Sequence, residues 1–265
     1  MVNYKNFIVF FIIIICSNLF SQNENNLKEL SKYSNFSFTV GAVLFDKAKI
    51  EFEEGSYPIS SIPIPSYTYG FNYNLPVYGK WSINTGLFFV KEAALNIKYS
   101  FLDDDILYPE QNEEIEAFDS PTFTTSIPIS VNFKTKIGIK SYLDFKLGMK
   151  MMLLPPAMVG WSNAFQNDTG FCNNFRIEIY SPYNVFIHGS LISSIGYTID
   201  LNKVLIGFEL SRTINFQNTF SGRFRFYNLL TNPDAYGYYN LSGNYWALNI
   251  NVNFLKKRHK KELKT

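Results

Sequence analysis

Cysteine is almost missing from this chain: Cys16 and Cys172 are the only two among 265 residues. Cys16 falls inside a leader. Lys5 is the only charge before a run of nine apolar residues, Phe7 to Ile15, and Ser17 to Gln22 follow Cys16. A basic start, a short apolar core and a small residue before a polar stretch describe a secretory signal peptide over 1–21, with cleavage after Ser21. The bulky Ile15 ahead of Cys16 argues against a lipidated cysteine. Cys172 then stands alone, which excludes an intrachain disulfide even in an oxidising compartment.

Charge is scarce as well. Charged residues make up 17% of the chain, below the roughly 25% of ordinary soluble domains. The net charge of +2 gives no basis for a nucleic-acid partner. Past the leader no apolar run approaches the ~20 residues that a membrane-spanning helix needs. Nothing resembles a nucleotide loop, a zinc site or a haem motif, so neither a cofactor nor a metal site is expected.

What the chain has in excess is aromatic residues, 26 Phe and 18 Tyr. Many sit in eight alternating stretches between residues 35 and 255. In the last, Trp246, Leu248, Ile250, Val252 and Phe254 alternate with Asn249, Asn251 and Asn253. A strand has period two, so one face is apolar and the other amide-rich. In the second stretch Tyr67, Tyr69, Phe71, Tyr73, Leu75 and Val77 alternate with Thr68, Gly70, Asn72 and Asn74. The other strands are read near 35–46, 81–89, 123–133, 143–151, 183–199 and 204–210. Connections near 78–80, 135–138 and 200–202 are short. Those over 48–65, 100–121, 154–182 and 216–241 are long. Short turns at one end and long loops at the other are the asymmetry of bacterial outer-membrane barrels. A secreted β-sandwich explains the alternation but not this asymmetry. A membrane protein without spanning helices must be a closed barrel, because only closure satisfies every backbone group in lipid.

The expected fold is therefore all-β: an eight-stranded antiparallel transmembrane up-and-down β-barrel with four long extracellular loops and short periplasmic turns. Residues 22–34 form a periplasmic lead-in, 35–255 the barrel and 256–265 a basic periplasmic tail. Tyr67, Tyr78, Trp81, Tyr99, Tyr245 and Trp246 fall near strand ends, where interfacial aromatic girdles belong. Pro128 sits mid-strand and cannot donate to a ladder, which predicts a bulge or a lost hydrogen bond there.

The run Lys80-Trp81-Ser82-Ile83-Asn84-Thr85-Gly86-Leu87, the segment Ser126-Ile127-Pro128-Ile129 with Gly148 about twenty residues later, and the closing Phe254-Leu255-Lys256-Lys257 carry a resemblance to a known group. The chain resembles the small bacterial "outer membrane beta-barrel protein" family with PorT-like members. The resemblance implies a barrel in the outer membrane of a Gram-negative bacterium, and some members resemble components of secretion machinery. Many such barrels end at a terminal aromatic, whereas this chain runs eleven residues past Phe254.

An eight-stranded barrel has an interior just wide enough for its side chains, which disfavours a conducting pore. By strand parity the lumen receives Glu92, Asp144, Lys146, Lys150, His188 and Glu209, a self-neutralising plug; a proton path or narrow small-solute channel is the alternative. Lys146 and Glu209 are expected to meet across the lumen. Lys91 and Arg212 fall on the apolar parity at the outer interface, within reach of lipopolysaccharide phosphates. His188-Gly189-Ser190 places a base and a hydroxyl on one strand face and resembles the outer-membrane lipid A deacylases. Such a base needs an orienting group. If pairing across 200–202 sums to about 402, Glu209 opposes Ser193 or Ser194 and His188 opposes Ile214. Glu209 then lies ~15 Å from His188.

The segment 101–120 carries eight carboxylates and no Lys or Arg. It suits a solvated loop, divalent cations or a basic partner, although the calcium-loop pattern is absent. The loop 154–182 carries Trp161, Phe165, Phe171 and Phe175, suited to folding over the barrel mouth. Six of the last ten residues are basic, so the tail is either solvated or held by anionic lipid heads. The expected role is non-enzymatic: a barrel that presents loops outward or docks with a cell-envelope or secretion assembly, in contact with outer-membrane lipid and lipopolysaccharide. The alternatives are a lipid-modifying enzyme and a narrow transporter.

Overall fold

The computed structural model describes residues 30–256, apart from 79, 93, 107–113, 120–121, 168–169 and 183–186. The leader, Glu110, Glu113 and the tail past Lys256 lie outside the described residues. So do the side chains of Phe165, Phe171 and Cys172.

Eight long strands close on one another. They are β1 (Tyr33–Phe45), β4 (Ile64–Tyr78), β5 (Trp81–Glu92), β8 (Thr122–Lys136), β9 (Ser141–Leu153), β12 (Ile187–Asp200), β13 (Val204–Asn215) and β16 (Tyr245–Leu255). The ring runs β1-β16-β13-β12-β9-β8-β5-β4, antiparallel throughout, and returns to β1. The seam between the first and last strands is regular from Ser37↔Asn253 to Phe45↔Tyr245. The expected fold is the observed one.

Alternation decides which side each residue takes. Phe38, Val40, Leu44, Phe71, Ile129, Leu147, Met149, Phe208, Leu248 and Ile250 all face outward, and each is at least 40% exposed. The inward partners are small or polar: Thr39, Thr68, Asn72, Asn84, Ser130, Ser211 and Asn249 are buried. Glycine permits the closest strand approach. A Cβ on Gly70 would lie 2.3 Å from the Leu87 carbonyl oxygen, and the Phe88 ring covers that spot from the lumen. Pro128 also points inward and lines a lumen cavity. Its ladder to β9 is continuous through Pro128↔Lys150. Its ladder to β5 is interrupted between Thr85↔Ile129 and Phe88↔Ser126, without a change of register. The missing donor thus removes local pairing on one side and adds no bulge.

In and beside the four long connections, which sequence reads as loops, the described residues form eight further strands. These are β2 (Lys49–Glu54), β3 (Ile59–Ser61), β6 (Leu95–Tyr99), β7 (Ile115–Asp119), β10 (Met158–Asn167), β11 (Gly170–Tyr180), β14 (Phe220–Phe226) and β15 (Ala235–Leu241). They form a five-stranded sheet, β10-β11-β14-β15-β2, and a three-stranded sheet, β3-β6-β7. One apolar cluster lies between them, including Leu95, Ile97, Tyr99, Phe175, Ile177, Phe224, Phe226 and Tyr239. The barrel is therefore surmounted by a small β-sandwich, and the protein's main hydrophobic core is in this cap. Tyr99, read as a girdle residue, belongs to that core at 2% exposure. Its ring lies 4.1 Å from that of Phe175, and its hydroxyl accepts from Trp161 Nε1 at 3.2 Å. The expectation that aromatics of 154–182 fold over the mouth holds for Trp161 and Phe175.

Asp105 ties three cap connections together. Its carboxylate accepts from Tyr57 Oη at 2.8 Å, Thr231 Oγ1 at 2.8 Å, and the Asn232 backbone N and Nδ2, each at 2.9 Å. Burial works to raise the Asp105 pKa. The donors from Asn232, Thr231 and Tyr57 outweigh that and hold the carboxyl at about 2. A carboxyl depressed in the folded state stabilises the fold above its ordinary pKa and loses that contribution as pH falls toward 2. The shift corresponds to about 2 kcal/mol at neutral pH. Asp105→Asn turns an acceptor into a donor facing donors. It should lower cap stability by about that amount at pH 7 and remove the loss of stability between about pH 4 and 2. Thermal unfolding followed by near-UV circular dichroism across that range checks both.

Candidate functional site

Two places on the molecule concentrate chemistry: the lumen and the outer face of the five-stranded cap sheet. In the lumen the six charged or titratable residues expected from parity are all inside. Glu92, Asp144, Lys150, His188 and Glu209 are each under 9% exposed, and the Lys146 side chain is 15% exposed. They are wired in layers. Near the turn end, Asp144 pairs with Lys134 at 3.0 Å and accepts from Thr198 Oγ1. At mid-height, Lys146 donates to Glu209, which also accepts from Asn251 Nδ2 at 3.3 Å. Near the cap, Lys150 donates to the Tyr245 hydroxyl and lies 4.4 Å from the centre of that ring, while Glu92 accepts from Thr124 Oγ1 at 3.1 Å. The Lys146–Glu209 ion pair read from sequence is thus present, between β9 and β13.

Sequence reading missed two members of this network. Lys134 shares the inward parity of Asn132 and was detectable from it. Tyr245 was assigned to the outer girdle, but it is 6% exposed and points inward over Lys150. The neighbouring Trp246 is the outward residue, at 47% exposure. Two small spaces in the lumen, of about 50 and 30 Å³, share Asn72, Asn84, Lys146, Glu209 and Asn251, and a larger one of about 280 Å³ lies toward the turn end along Asn74, Asn132, Lys134 and Asn253. The Lys146–Glu209 pair thus stands where the two small spaces meet, and each of these has room for a few waters.

The His188 and Ser190 pair has a different neighbourhood from the one expected. The β12–β13 turn is longer than read: Asn202 takes a left-handed conformation at φ 67, and its N–H donates to Asp200 Oδ1 at 2.7 Å. Pairing therefore sums to 405, with Gly196 opposite Glu209 and Leu191 opposite Ile214. Glu209 lies eight residues along from His188, ~26 Å at 3.3 Å per residue. Ser190 Oγ donates to the Lys150 carbonyl oxygen at 3.1 Å.

Of the two residues assigned to the outer interface, Lys91 pairs with Phe123 on the outer face of the β5–β8 ladder. Arg212 sits across from Trp246, with its guanidinium 5.2 Å from the ring centre. It is also gripped at both terminal nitrogens by Asp46, with Nη1 to Oδ1 at 2.8 Å. A protein carboxylate, not read from sequence, is its partner. In the acidic segment, Lys98 takes Glu114 and Glu116 at 2.9 and 3.0 Å. Among the described residues no three His, Cys, Asp or Glu side chains converge to hold a metal.

The cap face was invisible as a site from sequence because its residues come from four strands of three different connections. Register places them in three rungs. Glu178, Arg223, Tyr238 and Glu51 form one; Arg176, Arg225, Tyr236 and Glu54 the next; Tyr180, Ser221, Asn240 and Lys49 the third. The residues of β11, β14 and β15 among them line a groove of about 1020 Å³, and Lys49, Glu51 and Glu54 continue the rungs on the β2 edge.

Neither a family model nor a curated protein matches the sequence. Among solved structures the chain is similar to the outer membrane protein OprG from Pseudomonas aeruginosa, at 9% identity and a TM-score of 0.41, covering 84% of this chain and 96% of that one. It is also similar to the outer membrane protease OmpT from Escherichia coli, at 8% identity and 0.36, covering 84% and 98%. A third is the P. putida toluene transporter TodX, at 8% and 0.27, covering 84% and 90%. Likeness at this level carries no argument about function.

If the lumen pair is a desolvated ion pair, removing one member strands the other. Glu209→Gln should destabilise the folded barrel by roughly 3–5 kcal/mol, and adding Lys146→Met should recover much of the loss. Gel mobility of unheated samples during urea titration reads both. A double variant no more stable than Glu209→Gln alone would show that the two charges do not depend on each other.

Proposed function

We propose that this chain is a non-enzymatic outer-membrane protein of a Gram-negative bacterium: a plugged barrel that anchors a folded cap at the cell surface, akin to PorT-like barrels. The observation carrying this reading is the inversion of the barrel. Its outside is apolar and exposed, and its inside is polar and filled. Water would not tolerate that exterior on a monomer, whereas hydrocarbon suits it, and the closed ring leaves no unpaired edge in lipid. Trp81 and Tyr197 at the turn end and Tyr67 and Trp246 at the cap end lie on the outer face and suit the two interfaces. Lys91 then faces lipopolysaccharide phosphates, and Arg212, already held by Asp46, adds to that belt. The filled lumen speaks against transport. The distance of Glu209 from His188 speaks against lipid A deacylation.

A second role, docking with an envelope assembly, is favoured by the turn end. Lys32, Lys80, Lys136, Lys140, Lys203 and Lys256 gather there, and Ile137, Ile139 and Leu201 stand exposed at 55%, 87% and 51%. Exposed isoleucines flanked by lysines suit an acidic partner with an apolar contact, in the periplasm on this reading.

Cysteine-directed labelling of intact cells tests the orientation. With Cys172 replaced by Ser, a cysteine at Leu230 in the cap should react with an impermeant maleimide, and one at Ile139 only after lysis. The opposite pattern would invert the protein in the membrane. A lipid-facing charge tests the register. Phe208→Arg should cost about 2–4 kcal/mol in lipid, and Arg212→Ala, which removes an exposed-side ion pair, less than about 1 kcal/mol. Equal effects would place β13 wrongly against the bilayer.

A further inference from the structure

We infer that the outer face of the five-stranded cap sheet is a binding site for a neutral saccharide. The reading goes beyond anchoring, and the site does not depend on which side of a membrane the cap faces. Three features select the ligand class: charge balance, ring placement and the lack of an apolar centre.

Charge balance comes first. Over the three rungs the cations are Arg176, Arg223, Arg225 and Lys49, and the carboxylates are Glu178, Glu51 and Glu54; Asp234 at the margin takes Arg225. Over the whole face four positive and four negative groups cancel, while the groove itself is lined by three arginines and Glu178. Arg176 is paired with Glu178 and Lys49 with Glu51. A polyanion such as nucleic acid or a phosphate-rich lipid head finds little to neutralise here, because Arg176 and Arg225 are already held by Glu178 and Asp234.

Ring placement comes second. Tyr180, Tyr236 and Tyr238 each occupy a rung, and all three are half-buried, with edges and faces open to the groove. Arg223 stacks 5.2 Å from the Tyr238 ring centre and donates to its hydroxyl at 3.2 Å. Tyr180 donates to Glu178 at 3.1 Å. Tyr238 and Tyr180 are thus each held in place by a charged side chain of the same sheet. A sugar hydroxyl is both donor and acceptor. Two vicinal hydroxyls therefore satisfy a guanidinium and a carboxylate side by side, and the apolar C–H face of the pyranose ring packs on tyrosine.

The third feature disfavours a protein partner. On β11, β14, β15 and β2 the rungs carry no aliphatic side chain, and the exposed Met158 extends the third rung on the edge strand β10. Protein interfaces are depleted of charge at their centres, whereas here charged residues alternate with rings across the whole face. The residues also sit on paired strands rather than mobile tips, so little ordering is needed on binding.

The test uses the full mature chain folded in detergent micelles, applied to a printed array of neutral glucans, mannans and chitin oligomers beside sulfated and sialylated glycans. Binding to neutral glycans is expected. It should fall at least tenfold in Tyr238→Ala and in Arg223→Ala, and should be largely kept in Tyr238→Phe, which retains the ring. Leu230→Ala, elsewhere on the cap, should leave it unchanged. Unheated gel mobility and near-UV circular dichroism show which variants remain folded. If Tyr238→Ala does not fold, Arg223→Ala and Tyr238→Phe carry the comparison. A folded wild type that binds no neutral glycan, binding that survives both Tyr238→Ala and Arg223→Ala, or binding confined to anionic glycans and abolished by salt would each overturn the proposal.

Discussion

Closure of the strand ring is the constraint on which everything else in this structure depends. Once β1 pairs with β16 from Ser37 to Phe45, no barrel strand has a free edge, and every barrel residue must face either out or in. Eight strands leave an interior that side chains alone fill. The two faces then require opposite chemistry. The outside accepts Phe, Leu, Ile, Val and Met, and the inside must pair every charge it receives. Lys146 with Glu209 and Lys134 with Asp144 do so as ion pairs, and Lys150 is held by the Tyr245 hydroxyl and ring.

A barrel of this kind has almost no apolar core of its own, and the cap compensates for that. Above the ring, alternation points the apolar face inward, and Phe175, Phe224, Phe226 and Tyr239 pack against Leu95, Ile97 and Tyr99. The same period-two pattern thus serves opposite arrangements in the two halves. Asp105 joins the cap connections through five donors from Tyr57, Thr231 and Asn232. The result is a folded platform set on a barrel whose lumen is crossed by hydrogen-bonded and ion-paired side chains.

The barrel was legible in the sequence because its signal is local. Outward Trp246, Leu248 and Ile250 and inward Asn249 and Asn251 need only a count of two. The lumen charges followed from the same count. Register was harder. One left-handed Asn202 lengthened the turn and moved Glu209 from Ser193 or Ser194 to Gly196. Tyr245 was misplaced because its position near a strand end outweighed its parity. The cap strands were also written in the sequence, as in Phe220, Phe224 and Phe226 alternating with Ser221, Arg223 and Arg225. They were hidden by their shortness and by the expectation that long connections of a barrel are loops. The saccharide face was beyond sequence reading. Arg223, Tyr238 and Glu51 lie on three strands separated by up to 187 positions, and only pairing brings them into one row.

The long connections form a folded domain carried by a closed barrel. Amide hydrogen exchange on the protein in lipid nanodiscs tests it most directly. Amides of β11, β14 and β15 should be protected nearly as strongly as those of β12 and β13, with Ile177, Phe224 and Tyr239 among the slowest in the cap. Exchange at unprotected rates across 154–182 and 216–241, with the barrel strands still protected, would contradict it.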